Sequence, residues 1–385
     1  MLNSSESNTN QQRLRRKLHN YDKEMGKMSF NHQRFSAIRK TKNISIQELS
    51  EKTGLSIDVI KNIEYGRRKK TRKEEIELLC NAIGEDADSF DLDNEERTKV
   101  ISFMANKGGA GKTSLAVNVA ACLAKYFDKR ILLIDSDHQQ NASQHLGLIP
   151  DIDNPEEVEF YDTHNFYRAF INKDDISKHV IHYHDPEMDV VVGDQAIAPL
   201  DSQELINMPL KELRVKDVLK GVIERNEYDF IIIDCNPALN KFNEIILYAT
   251  DYVIIPMEAE PFGLKGANYI SEFVANIAQR EEANAKVLGI VANKYNKQAK
   301  IARAIMSIAE EIYGDSNIIF KTKIPRDINV PNAQGDGYPV CVGYPDSRAV
   351  EAYKSLCEEI LNRVKYGVWE SGFMDDIPEE DEEDI

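Results

Sequence analysis

The run Lys107-Gly108-Gly109-Ala110-Gly111-Lys112-Thr113-Ser114 constrains this chain more than any other feature. It follows the apolar segment Val100 to Ala105 and opens onto the helical run Leu115 to Phe127. Strand, glycine loop and helix in that order make a phosphate cradle. Glycines let backbone N–H groups close on the anion, and the helix N-terminus adds partial positive charge. Lys112 can reach β- and γ-phosphates, and the Thr113 hydroxyl can hold Mg²⁺. Lys107 is additional to the ordinary pattern, a second lysine that aims charge at phosphate from another direction.

From Lys99 onward strand and helix patterns alternate. Strands are expected at Val100 to Ala105, Arg130 to Asp135, Asp189 to Val192, Tyr228 to Asp234, Tyr252 to Met257, Val287 to Ala292 and Ile318 to Ile324. That alternation predicts an α/β fold with a mainly parallel P-loop sheet covered by helices on both faces. Asp151 to Asp185 carries no assignable pattern. The second strand runs into Asp135-Ser136-Asp137-His138-Gln139, and alternation puts both carboxylates on one face, at the end where such sheets bind ligands. One can serve a metal's water shell and the other can orient an attacking water. Phe230 to Ile233 ends in Asp234, a third carboxylate in the manner of a Walker B aspartate.

Residues 30–90 show helical spacing broken by turn residues: Phe35/Ile38, Ile46/Leu49, Val59/Ile60/Ile63 and Ile76/Leu79/Ile83. They predict a small all-α domain of four short helices in front of the sheet. Within it, Ser45 to Gly66 sets two helices around Gly54 as a helix-turn-helix, with Ser56 placed to cap the second. That helix would present Ser56, Ile57, Asp58, Lys61 and Asn62 to a major groove, and Arg67, Arg68, Lys69 and Lys70 follow for phosphate contacts.

A net charge of -17 argues against nucleic acid if taken as one number. Charge is unevenly spread, however. Residues 1–75 hold 18 Lys/Arg against 9 Asp/Glu, whereas Asp375 to Ile385 hold 8 acidic residues and no basic one, so DNA is expected at the front. The expected organisation is a basic arm at 1–29, a helix-turn-helix domain at 30–90, a linker at 91–98, a P-loop domain at 99–366 and an acidic tail at 367–385. Apolar runs such as Phe230 to Ile233 fall far short of the roughly 20 residues a membrane helix needs. Five cysteines without CxxC spacing point to a reduced cytoplasm.

Residues 30–85 resemble the Cro/phage-repressor type of helix-turn-helix, and residues 99–366 resemble the ParA/Soj plasmid and chromosome partition ATPases with their deviant Walker A loop. Six segments carry the second resemblance in family order: KGGAGKTS, LLIDSDHQQNAS, YDFIIIDCNPAL, IPMEAEPFGLKG, IPRDINVPNAQGDGYPV and YPDSRAVEAYKSL. The resemblance implies an ATP- and Mg²⁺-dependent homodimer in which Lys107 reaches the partner's nucleotide while Lys112 and Thr113 serve their own. Asp137 would position the hydrolytic water, Asp135 and Asp234 would hold the magnesium shell, and Asn293, Pro325 and Asp327 would line the adenine pocket. It further implies a weak ATPase stimulated by a centromere-binding ParB-like protein, non-specific DNA binding by the dimer, autorepression through an operator, and a nucleoid-associated cytoplasmic location.

Several positions depart from the family. The usual DxDPQGN reads Asp135-Ser136-Asp137-His138-Gln139-Gln140-Asn141, and two arginines that relatives use on DNA align with Gln298 and Asn329. Lys294, Lys297, Lys300 and Arg303 lie nearby and could substitute. An ATP-gated transcription regulator without a transport role is the alternative. A membrane-cycling relative would need a basic amphipathic helix where this chain has Asp375 to Ile385. An iron-protein reductase would need paired cysteines.

Overall fold

The computed structural model describes residues 27–366 apart from 29, 69–70, 86, 91–96, 197–207, 238, 281–282 and 314–316. The acidic tail, most of the basic arm and most of the linker lie outside the described residues. The chain divides into two compact units, one running to Arg97 and one from Thr98 to Val364.

The first unit holds helices α1 (His32–Thr41), α2 (Ile46–Thr53), α3 (Ile57–Glu64) and α4 (Lys73–Ile83), a 3₁₀ turn at Ala87–Phe90, and a two-residue antiparallel pair, β1 (Lys27–Met28) with β2 (Thr71–Arg72). Local chemistry sets the two central helices. Ser45 Oγ accepts from Glu48 N at the start of α2, Gly54 ends it at φ 73°, and Ser56 Oγ accepts from Val59 N at the start of α3. Phe35, Leu49, Ile60, Ile63, Ile76 and Leu79 form the core, joined by Phe30 and Phe90. Beneath α3, Arg39 pairs with Glu64 at 2.6 Å and also donates to Ile44 O, so the buried charge is matched on both sides.

The second unit is one eight-stranded sheet in the order β10 (Ile319–Pro325), β9 (Lys286–Tyr295), β8 (Tyr252–Glu258), β3 (Lys99–Phe103), β7 (Phe230–Asp234), β4 (Ile131–Asp135), β6 (Glu187–Val191), β5 (Ile181–His184). Every neighbouring pair is parallel except β5 with β6. The seven expected strands are all present. β5 is extra, an edge strand inside the stretch that the sequence pattern left unassigned.

Strands β4 and β7 are buried along their whole length, which suits their Ile/Leu/Phe composition. On one face Val100, Leu132, Ile134, Ile231 and Ile233 pack with helices α9 (Arg214–Glu224), α10 (Lys241–Tyr248) and α11 (Pro261–Ala278). On the other, the loop after β3 leads into α5 (Lys112–Phe127), which packs against β3, β4 and β7. α6 (Asn141–His145), α7 (Pro155–Thr163) and α8 (Phe166–Asn172) lie between β4 and β5; α12 (Lys300–Tyr313), α13 (Asn329–Gly335), α14 (Val340–Gly343) and α15 (Arg348–Tyr366) complete the unit. Register places Asp234 level with Phe103 on one side and with Asp135 on the other. Two acidic side chains thereby meet at the carboxyl end of the sheet, where α5 begins.

Candidate functional site

The phosphate loop occupies the turn from β3 to α5. Gly109 and Gly111 take φ 88° and 76°, a region that side chains with a Cβ avoid. A Cβ on Gly111 would also collide with the Asn293 amide, so close approach demands glycine there. The loop forms one wall of a cleft of about 1240 Å³, which Lys107, Gly108, Gly109, Ala110, Gly111, Lys112, Thr113 and Ser114 all line. The volume exceeds the roughly 300–1,000 Å³ of ordinary small-molecule pockets. Lys107 is exposed and makes no hydrogen bond or ion pair among the described residues. Lys112 is buried, and its ammonium donates to Asp234 Oδ1 at 2.6 Å. Burial works against that ammonium, but the charge of Asp234 prevails and its pKa is raised.

The three carboxylates have separate surroundings. Asp137 lines the cleft; its Oδ1 accepts from Gln139 N at 3.0 Å, with His138 Nδ1 3.4 Å away. Asp135 does not reach the cleft. Its Oδ1 accepts from Asp137 N at 3.1 Å, and its Oδ2 accepts from Ser143 N and Oγ at 2.9 and 2.7 Å. The pair expected to share one strand face is therefore split, because the chain leaves strand geometry at Ser136 and carries Asp137 outward. Burial, then the charge of Asp234, push the Asp135 carboxyl up to about 7. Burial raises Asp234 too, against the opposing pull of Lys112. Asp234 Oδ2 is buried and has no hydrogen-bond partner among the described residues. An acceptor held in that state beside the Thr113 hydroxyl fits a hydrated divalent cation.

Asn293, near the end of β9, and Pro325 and Asp327, at and beyond the end of β10, also line the cleft. Asn293 Nδ2 donates to Ala110 O at 2.9 Å and Gly111 O at 3.4 Å, so its amide faces the loop. Asp327 accepts from Asn329 N, Ser347 Oγ and Arg348 Nε at 3.0, 3.0 and 3.3 Å. The cleft also includes Glu258, Lys294, Arg348 and the fully buried Tyr353, none of which the sequence singled out for it. The sequence offers Lys294 as one of the cations that could contact DNA. Its ammonium instead contacts the Gly109 carbonyl and pairs with Glu258 Oε1 at 3.0 Å. Opposite charges at the ends of adjacent strands β8 and β9 were the available signal.

Residues 98–287 match the profile of an AAA domain and residues 36–90 that of a helix-turn-helix. The chromosome partitioning protein ParA of Myxococcus xanthus is 30% identical over 268 residues, spanning 69% of this chain and 88% of that protein. The chain belongs to the ParA family. The sporulation initiation inhibitor Soj of Bacillus subtilis is 29% identical over 263 residues, 68% of this ParA-family chain and 98% of Soj. In structure, cobyrinic acid a,c-diamide synthase of Mycobacterium smegmatis, crystallised with ADP and magnesium, superposes with a TM-score of 0.57 at 21% identity, covering 70% and 96% of the two chains. That likeness concerns the fold alone.

The ParA-family unit bears Gln298 exposed after β9 and Asn329 half-buried at the start of α13. Lys297 and Lys300 are exposed nearby, while the Arg303 guanidinium donates to Lys297 O and Gln298 O at 2.9 and 3.2 Å. On the first unit, Ile57, Asp58 and Lys61 are exposed on α3 and Asn62 is half-buried. The Ser56 hydroxyl is engaged by its capping bond. Arg67 lies over the Tyr65 ring and Arg68 pairs with Glu75 at 3.2 Å. Lys69 and Lys70 lie outside the described residues. Among the described residues no helix is long and apolar enough to cross a membrane.

Proposed function

We propose that this chain couples ATP binding and hydrolysis to the segregation of plasmid or chromosomal DNA. The observation that carries the reading is a cleft lined by the phosphate loop and Asp137, with the loop's Lys112 paired to the buried Asp234 behind it. Adenine lies against Asn293, Pro325 and Asp327, and the phosphates follow the loop to Lys112. Lys112 turning onto the β- and γ-phosphates releases Asp234 Oδ1. Thr113 and Asp234 would hold the water shell of Mg²⁺, while Asp135 holds the backbone of Asp137. Magnesium, when bound, neutralises charge on the β- and γ-oxygens. Asp137 Oδ2 accepts a hydrogen bond from the attacking water and sets it in line with the γ-phosphorus, giving ADP and phosphate at a low intrinsic rate that a centromere-binding ParB-like partner raises.

Lys107, exposed on the cleft wall, reaches the nucleotide of a second subunit in an ATP-dependent homodimer. Ile57, Asp58 and Lys61 on α3 read an operator, and the helix-turn-helix represses the chain's own operon. The protein works in the cytoplasm on nucleoid DNA. Sedimentation of Lys107→Ala with ATP tests the dimer: nucleotide binding should persist while dimerisation is lost, and an unchanged dimer refutes the role of Lys107 between subunits.

A second reading, an ATP-gated transcription regulator, gains from one observation. Lys294 and Arg303, though exposed, are engaged within their own unit, which leaves Lys297 and Lys300 as the cations near Gln298 whose ammonium groups make no hydrogen bond or ion pair among the described residues. Retention of an unselected mini-replicon that carries this gene and its neighbours separates the two, because a regulator alone would not raise retention above random segregation.

A further inference from the structure

Three consecutive carbonyls of the phosphate loop are gripped by the end of β9. Lys294 holds Gly109 O, and Asn293 Nδ2 holds Ala110 O and Gly111 O. The two gripping residues are themselves tied together, since Asn293 Oδ1 accepts from Lys294 N at 3.0 Å. Glu258, from the end of β8, anchors the Lys294 ammonium at 3.0 Å. Lys294 has φ 50°, a left-handed backbone that residues with a Cβ seldom adopt, and such strain collects at working sites.

A trans peptide plane points its C=O and the following N–H in opposite directions. Carbonyls of Gly109, Ala110 and Gly111 fixed on β9 therefore turn the N–H groups of Ala110, Gly111 and Lys112 away from β9, and all three residues line the cleft. Gly108 and Gly109 have no Cβ to restrict them, so without the grip this part of the loop would sample many orientations before a phosphate arrived.

We propose that Lys294, anchored by Glu258, is a positioning residue of the nucleotide site: by holding the Gly109 carbonyl it sets the Ala110 N–H for the phosphates without touching them. This inference rests on the reading of the cleft as an ATP site. Loop N–H groups of this kind cradle the phosphates that ADP and ATP share. Loss of the grip therefore weakens both nucleotides by one common factor, roughly tenfold for a single charge-assisted hydrogen bond.

The test is calorimetric titration of the full chain with MgADP and with a non-hydrolysable ATP analogue plus Mg²⁺. Lys294→Met should lose about the same factor for both ligands, roughly tenfold, with an unchanged thermal midpoint in the absence of nucleotide, and Lys294→Arg should recover part of the loss. Glu258→Gln should lose less, and the double variant no more than Lys294→Met, because both act through one grip. Glu258→Gln keeps the lysine and carries the test alone if Lys294→Met does not fold. A loss confined to the ATP analogue would mean that Lys294 touches the γ-phosphate and would overturn the proposal. So would unchanged affinity for both ligands, or reduced binding to random-sequence DNA with nucleotide affinity intact. Wild-type protein that bound neither nucleotide would overturn the ATP-site reading itself.

Discussion

Asp234 accepts a hydrogen bond from the Lys112 ammonium on one carboxylate oxygen and leaves the other, buried beside it, without a hydrogen bond among the described residues. On the proposed reading of the cleft, phosphate reaches Lys112 only by displacing this carboxylate.

Lys112→Ala should abolish measurable ATP binding and also destabilise the free protein, by on the order of 3 kcal/mol, since one member of a buried pair is left alone. The double variant Lys112→Met with Asp234→Asn should regain most of that stability without regaining ATP binding. A denaturant double-mutant cycle decides the matter; additive losses would show that the pair is not coupled.

Asp137→Ala should lower ATP turnover by about 100-fold while leaving nucleotide affinity nearly unchanged, because the carboxylate lies on the cleft wall and not in the loop. Trapping of an ATP-bound dimer would follow. Wild-type turnover in this variant would show that Asp137 does not position the attacking water.

Acid should loosen the segment that follows Asp137. His145, on α6, is fully buried, and burial pushes its pKa down to about 4. The unfolded chain takes up this proton near 6.5 and the folded chain only near 4, so the contribution is fully present above about pH 6.5 and is lost as pH falls through that window. Between pH 7.5 and 4.5 wild type should lose on the order of 2 kcal/mol more than His145→Gln. Urea titrations of both proteins at the two pH values check this; a pH-independent difference would sink it.

Removing residues 1–90 should abolish operator binding. ATP-dependent binding to random-sequence DNA should persist, with a shallow salt dependence. With Lys297 and Lys300 as the exposed contacts, a dimer would neutralise about four phosphates, for a log–log slope near -3.6. Filter binding at several salt concentrations gives the slope. No binding at low salt would favour the ATP-gated regulator.

Much of this fold is legible in the sequence. The loop Lys107 to Ser114 announced its strand and helix because each flank carries its own pattern, and seven apolar runs became seven parallel strands. What escaped had weak or misleading patterns. β5 reads Ile-His-Tyr-His, polar at alternate positions, as an edge strand can be. α7 buries none of its residues, so it shows no apolar stripe. Alternation could not tell Asp135 from Asp137, since it holds only while the chain stays in a strand. Lys294 is a surface cation, but the sequence gives its charge and not the direction of its side chain, towards Glu258 and the Gly109 carbonyl.

The β4–β7 register has a consequence for how this chain can vary in length. Asp135 stands level with Asp234 on two strands buried on both faces. Inserting one residue in either strand would bring a neighbour level with the carboxylate and point every later side chain at the opposite layer. Such lengthening is closed to these strands, whereas the segment around α7, which buries nothing, can accept it. Descendants of this gene should differ in size there, while the spacing from Lys99 to Lys112 and from Phe230 to Asp234 stays constant.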